Sequence, residues 1–570
     1  MGPNKTLGFH LFNLLIHLLA GGLLFGVVKR TVPRATSSLD ADAVAALVTT
    51  VWLLHPLQSE AVNYVIQRTE LIVSACYLAT LYAWIRAWDA ATARRRVAWR
   101  IVAVLACVLG MGSKEVMLTA PLMIVLYDRA FRVEVWRELL GDRQRLAFYG
   151  LLMATLGVGL IPVVGNARNS TVGFGLEIPW YRYLYSQAWA ILHYLRLALW
   201  PNALTFDYGM RPITGLAGVP GLVALTVLGA ATLLAWVAAG KWLWLAFLGA
   251  WFFLLLAPSS SIVPITTEIA AERRIYLAFA AVIVLAVVGL EAARRRFAAR
   301  VSPHWPRPAA VALGLALATM TFLRSTTYAH AETLWRDTVA KAPDNPRAMS
   351  NLASTLFYDA PPRLDEARQL YERALAADSA YLPAWSGLAS IAVDEHRWRD
   401  AETLLLHALA VDPDYSDAID HLGRLYVRVG QPARAIPYLE RYAKAYPSTE
   451  TLVMLGRAYL QVGRFDAGAL TLGDALELDP NRADALRDLG GLYAEQGRAA
   501  EAIPLLERAV VADTSNALGF ALLSFALAES YRVDERARAM QLAQLAVEKS
   551  HRADASVAAL AGRAMTLLGR

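Results

Sequence analysis

Eleven stretches of the chain are apolar over most of their length: residues 8–28, 43–56, 70–88, 99–112, 116–131, 146–164, 183–200, 217–239, 242–257, 274–290 and 307–323. A helix needs about 20 mostly apolar residues to cross a bilayer, so this pattern predicts a bundle of membrane helices. Runs 99–112 and 116–131 are short and suit tilted or partly inserted helices. The first run has only Lys5 before it and Lys29 and Arg30 after it, which marks a retained helix rather than a cleaved leader. Lys and Arg gather in four short loops, 29–34, 86–100, 129–145 and 294–307, and such loops face the cytoplasm. Two runs separate the first pair of loops and two separate the second pair. Five lie between residues 145 and 294, an odd number, so one of them is expected not to cross. Run 183–200 is the exception, because Tyr185, Gln187, His193, Tyr194 and Arg196 suit a helix that lines a cavity or lies in the interface. This assignment puts segments 55–70, 113–115, 166–181, 201–212 and 259–274 on the outer side. It also puts everything after residue 323 there, in the periplasm of a bacterium or the lumen of an endoplasmic reticulum.

Beyond residue 328 the pattern changes to a repeat of about 34 residues, the tetratricopeptide period. Leu388-Ala389, Leu422-Gly423, Leu455-Gly456 and Leu489-Gly490 recur on the first helix of each unit, with Tyr426, Tyr459 and Tyr493 at one fixed offset. Ala401, Ala435, Gly468 and Ala502 mark close contacts on the second helix, and Pro413, Pro447 and Pro480 end the units. A weaker first copy holds Leu352-Ala353, Tyr371 and Ala374 with an insertion at 359–363. Residues 519–546 read as a degenerate last copy and 553–568 as a capping helix. The fold class is therefore all-α: a polytopic helical membrane domain over residues 1–328, then a tetratricopeptide-repeat α-solenoid over 329–570. Solenoids of this kind offer a concave face to extended chains, so a polypeptide partner is expected.

Composition supports this division. The chain has 570 residues, 56% of them hydrophobic, and a mean hydropathy of +0.37, too apolar for an ordinary soluble protein. Residues 1–328 hold 29 Lys and Arg against 15 Asp and Glu, and the remainder 26 against 33. The basic residues lie in loops between apolar runs, which indicates membrane orientation and excludes nucleic acid as the partner. Cys76 and Cys107 both lie in apolar runs and suggest neither a disulfide framework nor a metal cluster.

His10, Asn13 and His17 share one helix face at i, i+3, i+7. Polar packing between helices is preferred to metal ligation there, and no metal site is read elsewhere. Three further segments stand out: His55-Pro56-Leu57-Gln58-Ser59-Glu60-Ala61-Val62 running on to Gln67-Arg68-Thr69-Glu70; Ser113-Lys114-Glu115; and Ala271-Glu272-Arg273-Arg274-Ile275-Tyr276-Leu277. In this order, with the repeats behind them, they resemble the transmembrane, tetratricopeptide-containing protein O-mannosyltransferases known for modifying cadherins, and their bacterial relatives. Glu70 stands where that family usually has Asp, and Arg274 where it usually has an apolar residue.

The resemblance implies a GT-C glycosyltransferase that moves a sugar, mannose in the family, from a polyprenyl-phosphate donor to Ser or Thr of a protein acceptor. A carboxylate must then take the hydroxyl proton, cations must stabilise the departing lipid phosphate, and an apolar groove must hold the lipid tail. Glu60 and Glu70 are the expected catalytic carboxylates, with Arg68 paired to one of them. Arg273 and Lys114 are expected at the donor phosphate, Glu115 beside them, and Asp207, Tyr208 and Tyr276 around the pocket. His55 joins the polar helix-face group of His10, Asn13 and His17. Replacing Arg273 by Ala is expected to cost activity far more than folding. Dependence on a divalent metal stays open. The family's strongest catalytic acid lies on a loop before the first run seen here, so an upstream helix and acidic loop are expected, or else a form without transfer activity. The alternative function is a non-catalytic, membrane-anchored repeat scaffold. A transporter is disfavoured by the lack of inverted repeats.

Overall fold

The computed structural model describes residues 7–36, 39–159, 179–212, 225–226, 229, 232, 242–260, 268–296, 306–530, 532–550 and 554–569. Its regular elements there are all helical, and the chain divides into two compact units, Met1–Leu352 and Ala353–Arg570.

The first unit contains α1 (Leu7–Ala35), α2 (Ala41–Leu54), α3 (Arg68–Asp89), α4 (Ala93–Met111), α5 (Ala120–Phe131), α6 (Arg143–Ala154), α7 (Trp180–Leu199), α8 (Leu243–Leu256), α9 (Phe279–Arg296), α10 (Pro306–Thr326) and α11 (Ala331–Lys341). Polar residues at the turns start several of them. The Asp40 carboxylate accepts from the N–H groups of Asp42 and Ala43 at the start of α2, and Asp142 does the same for Gln144 and Arg145 at the start of α6. On α1 the buried stripe runs through Asn13, His17, Ala20, Leu24, Val27 and Val28, while Leu11, Leu15, Leu18 and Leu19 stay exposed. Glycine lets its neighbours close in. A Cβ on Gly21 would stand 2.6 Å from Leu53 of α2, and one on Gly26 would stand 2.5 Å from the Tyr82 ring of α3.

Three helical stretches among the described residues are long and apolar enough to cross a membrane: Leu7–Ala35, Val65–Asp89 and Pro308–Thr326. The exposed leucines of α1, with Leu105 and Leu109 of α4 and Val311, Leu315 and Phe322 of α10, form apolar faces that water covers badly and lipid covers well. Runs 43–56 and 242–257 form helices of 14 residues each, Ala41–Leu54 and Leu243–Leu256. Most of run 217–239, the end of run 146–164, residues 166–178 of one outer segment, 261–267 of another and the 297–305 part of the last basic loop lie outside the described residues. So do residues 1–6.

In the second unit each repeat is a helix pair, as in Ser416–Arg428 with Pro432–Ala445 and Thr449–Gln461 with Phe465–Leu478. The recurring small residue on the first helix has a steric cause. A Cβ on Gly423, Gly456 or Gly490 would stand 2.7–2.8 Å from Leu439, Leu472 or Leu506 of the second helix. The turn inside each pair needs a positive φ, met by Gly430, Gly463 and Gly497 and, one copy earlier, by His396 at +58°. Pro413, Pro447 and Pro480 follow directly on helix ends. Ala517–Glu529 pairs with Arg536–Lys549, and Ala555–Leu568 closes the unit. Residues 329–352, read from the repeats' side as part of the solenoid, pack with the first unit.

Gly456→Leu should force the two helices of its repeat apart. Overpacking of this kind costs about 1–3 kcal/mol, and thermal unfolding followed by circular dichroism should show a lower melting temperature for the variant. Gly473, beside which a Cβ meets open space, is the control: Gly473→Ala should melt no lower than the parent.

Candidate functional site

The local sequence turns Glu60 inward. Pro56, with no N–H to satisfy, opens a 3-10 turn Pro56–Gln58, and the Ser59 hydroxyl donates to the Pro56 carbonyl at 2.6 Å. A short helix, Ser59–Asn63, follows and carries Glu60 at 0% exposure. The Arg273 guanidinium meets its Oε1 at 2.5 Å, and the Arg273 backbone N–H donates to Oε2 at 3.0 Å. Arg273 lies in the 3-10 turn Glu272–Ile275 ahead of α9. Its Nη2 also pairs with Glu268. Glu268 Oε1 accepts from Arg347 at 2.8 Å, and Arg347 Nε donates to Asp207 at 2.5 Å. Five side chains from four segments thus alternate in sign: Glu60, Arg273, Glu268, Arg347, Asp207. Burial opposes the Arg273 charge, but Glu60 and Glu268 outweigh it and hold the guanidinium more firmly protonated than usual.

The polar face of α7 supports the segment that carries Glu268 and Arg273. Gln187 donates to the Ile269 carbonyl at 2.8 Å, and the Tyr194 hydroxyl accepts from the Ala271 N–H at 2.7 Å. Arg274, which stands where the family usually has an apolar residue, donates to the carbonyls of Glu268 and Ile269 at 2.6 and 2.9 Å and so braces that segment from inside.

Glu272 occupies a second buried position. Its Oε1 accepts from the Thr205 N–H at 2.8 Å and the Tyr208 hydroxyl at 2.7 Å, while Oε2 has no hydrogen-bond partner among the described residues. Burial pushes its carboxyl up to about 8, against the opposing charge of Arg324, so it holds a proton at neutral pH. With Oε1 accepting twice, the proton belongs on Oε2.

The remaining expected residues separate into three groups. Glu70 is buried at the start of α3 and pairs with Lys114. Glu115, half-buried, opens the turn Glu115–Thr119. Arg68 was expected to pair with Glu60 or Glu70. Instead its guanidinium stacks on the Phe9 ring at 4.8 Å, because Arg273 and Lys114 take those carboxylates. Tyr276, expected to shape a pocket, is fully buried as a structural knot. Its hydroxyl lies 2.6 Å from His17 Nδ1, and its carbonyl accepts from Trp52 at 3.1 Å and Gln58 at 3.3 Å. His17 Nε2 lies 3.1 Å from the Leu53 carbonyl. A carbonyl only accepts, so Nε2 carries the proton and Nδ1 accepts from Tyr276. Asn13 donates to the Val62 carbonyl at 3.1 Å, and His55 Nδ1 accepts from the Leu57 N–H at 3.2 Å. His10 is half-buried on the same helix. Polar packing therefore accounts for Asn13, His17 and His55. Among the described residues no group of three or more His, Cys, Asp or Glu side chains is placed to hold a metal ion.

An apolar cavity of about 450 Å³ is lined by Val28 and Val32 of α1, Phe247 and Trp251 of α8, and Ala281 and Val284 of α9; its lining runs on to Thr36, Leu39 and Ala292, next to the basic loops, and includes no member of the ionic chain. Sequence reasoning missed Glu268, Glu272 and Arg347 as site residues. Glu272 stood inside a quoted motif. Glu268 lay in a segment already placed on the outer side. Arg347 was hidden by its position at the head of the repeats.

Family models described as tetratricopeptide repeat match residues 320–381, 363–425, 418–446 and 453–517. The chain is 31% identical over 216 residues to the protein O-mannosyl-transferase Tmtc2 of Drosophila melanogaster, covering 36% of this chain and 21% of that protein. It is 26% identical over 235 residues to Tmtc1 of the same organism, covering 37% and 26%. The chain thus spans about a quarter or less of these curated relatives' own length. Among solved structures, YrrB, titled a TPR protein with an unusual peptide-binding site, is 24% identical and matches 33% of this chain and 97% of its own, with a TM-score of 0.31. The chain is a tetratricopeptide-repeat protein with long apolar helices. It is distantly related to the GT-C-type protein O-mannosyltransferases.

The raised value of Glu272 fixes a pH dependence. The folded protein keeps this proton while an unfolded carboxyl releases it near its ordinary 4.5. Stability therefore falls as pH rises from about 4.5 to about 8 and levels off above, by on the order of a few kcal/mol. Glu272→Gln cannot ionise. Its melting temperature in detergent should gain on the parent's as pH is raised from about 5 to about 8; parallel curves for the two proteins would contradict this.

Proposed function

We propose that the chain is an integral-membrane glycosyltransferase, which transfers a sugar from a polyprenyl-phosphate donor to Ser or Thr of a protein held by the repeats. The observation that carries this reading is the assembly of carboxylates and arginines from four separate segments, around residues 60, 207, 268–273 and 347. The distant similarity to protein O-mannosyltransferases supports it. In the reaction an acceptor oxygen attacks the anomeric carbon, the bond from that carbon to the phosphate oxygen breaks, and the phosphate leaves with the electron pair. The hydroxyl proton passes to a carboxylate.

Glu70 suits the proton acceptor better than Glu60. It has one ionic partner, Lys114, whereas both oxygens of Glu60 are engaged by Arg273. Glu60 then acts as the anchor of Arg273, and Arg273 and Lys114 supply positive charge to the leaving phosphate. The repeats and this apparatus lie on the outer side of the membrane, in the periplasm of a bacterial cell. The scaffold reading has its own support, since the carboxylates Glu60 and Glu70 are both ion-paired.

Full-length protein in lipid nanodiscs, given a polyprenyl-phosphate mannose and a Ser/Thr-rich acceptor, should add hexose to the acceptor by intact mass. Glu70→Gln should lower the rate by about 100-fold or more. If no hexose is added while the repeats still capture their partner, the scaffold reading replaces this one. Protease added to sealed right-side-out vesicles should digest the region after Tyr328; protection there would reverse the orientation.

A further inference from the structure

Two guanidinium groups converge on a single carboxylate in the ionic chain, and each is held from behind. Arg273 spends Nη1 on Glu60 and turns Nη2 to Glu268. Arg347 spends Nε on Asp207 and turns Nη2 to the other oxygen of Glu268. We propose that Arg273 and Arg347 form a binding site for a phosphate group, and that Glu268 occupies it as a built-in stand-in until ligand arrives. The proposal deepens the transferase reading, and rests on it for the natural ligand being a phosphate-bearing lipid.

Three observations carry it. The first is shape. A carboxylate offers two oxygens to two arginine forks, and a phosphate offers at least as many in a similar spread. The second is charge. Three carboxylates face two arginines, so with Glu268 in place a further anion is repelled. With Glu268 swung aside, Glu60 and Asp207 still hold one arginine each, and the two Nη2 groups that met Glu268 face the incoming oxygens. The third is access. The Glu60 side chain is 0% exposed and Asp207 6%, so the anchors are fixed, whereas Glu268, Arg273 and Arg347 are 12, 16 and 29% exposed. The stand-in is thus more open to solvent than either anchor. Arg347 itself is positioned by its neighbour Asn345, whose amide donates to the Asp207 carbonyl at 3.2 Å while its Oδ1 accepts from the Ala348 N–H at 3.2 Å.

The test is calorimetric titration of the full-length protein in detergent with farnesyl phosphate, inorganic phosphate and farnesol. Glu268→Gln keeps the size of the side chain but removes its charge and turns one of its two acceptors into a donor. It should bind farnesyl phosphate about ten-fold tighter than the parent, and Arg347→Gln about ten-fold weaker, the scale of one charge-assisted contact. Arg347→Lys should fall between parent and Arg347→Gln, and farnesol should bind alike in all. Inorganic phosphate following the same order identifies a site for the phosphate alone; binding of farnesyl phosphate only identifies a lipid headgroup site. Unchanged or weaker binding by a normally melting Glu268→Gln overturns the proposal, as does a parent that binds neither phosphate. Those results with hexose transfer intact would remove this site and leave the transferase reading standing. The expected order of affinities without transfer from any donor would do the reverse.

Discussion

Glu60 is a carboxylate with no solvent at all, and the loops around it depend on how it is neutralised. Taking such a group out of water costs several kcal/mol. Arg273 offsets part of that cost through its charge, its guanidinium hydrogen bond and its backbone N–H, while burial still pushes the Glu60 carboxyl up. Arg273 in turn brings a second acid, Glu268, and that acid a second arginine. Each addition leaves a charge that the next must answer, and the chain ends only where Asp207 accepts from the Gly209 N–H at 3.0 Å. Segments near residues 60, 207, 268–273 and 347 are thereby tied to each other by charge, in addition to apolar contacts such as Tyr64 on Phe206. Removing Arg273 would strand Glu60 without its cation, and breaking a buried pair in this way costs about 3–5 kcal/mol. Folding and activity are coupled at that position, more closely than its place at the edge of a membrane helix suggests.

Salt should touch this chain little. Its inner members are shielded from mobile ions, whereas pairs such as Arg441–Asp414 and Arg498–Glu501 in the repeats lie in the open. The two units therefore differ in what their charges do. In the repeats they dress a surface held together by small-residue contacts such as Gly456 on Leu472. In the first unit they hold the loops.

Local features were legible in the sequence, and long-range pairings were not. The repeat helices, their small-residue contacts and the terminating prolines follow from a period that any four copies display. The buried face of α1 follows from its polar residues, since Asn13 and His17 are costly anywhere but against acceptors such as the Val62 and Leu53 carbonyls. The ionic partners escaped because proximity along the chain misleads. Arg68 stands two residues from Glu70, yet side chains two apart on a helix point away from each other, and Glu70 turns to Lys114 across the bundle. Glu268 and Arg347, 79 residues apart, share no periodicity or motif that would pair them. Membrane runs were legible as apolar stretches and in part as lengths: runs 43–56 and 242–257 became helices of 14 residues, whereas run 99–112, read as short, lies in the 19-residue helix Ala93–Met111, because the basic residues before it continue the helix.

The contact between His17 and Tyr276 has a polarity. Hydrogen bonds run one way through it, from the Tyr276 hydroxyl to the imidazole and from the imidazole to the end of α2. The ring is thus a relay with a fixed input and a fixed output, and turning it over would set two acceptors face to face at one end. Asn or Gln at position 17 could match the donor and the acceptor but not their opposite bearings across a rigid ring. The first helix is consequently registered against the turn before α9 in rotation as well as in depth, as a key is by its single notch.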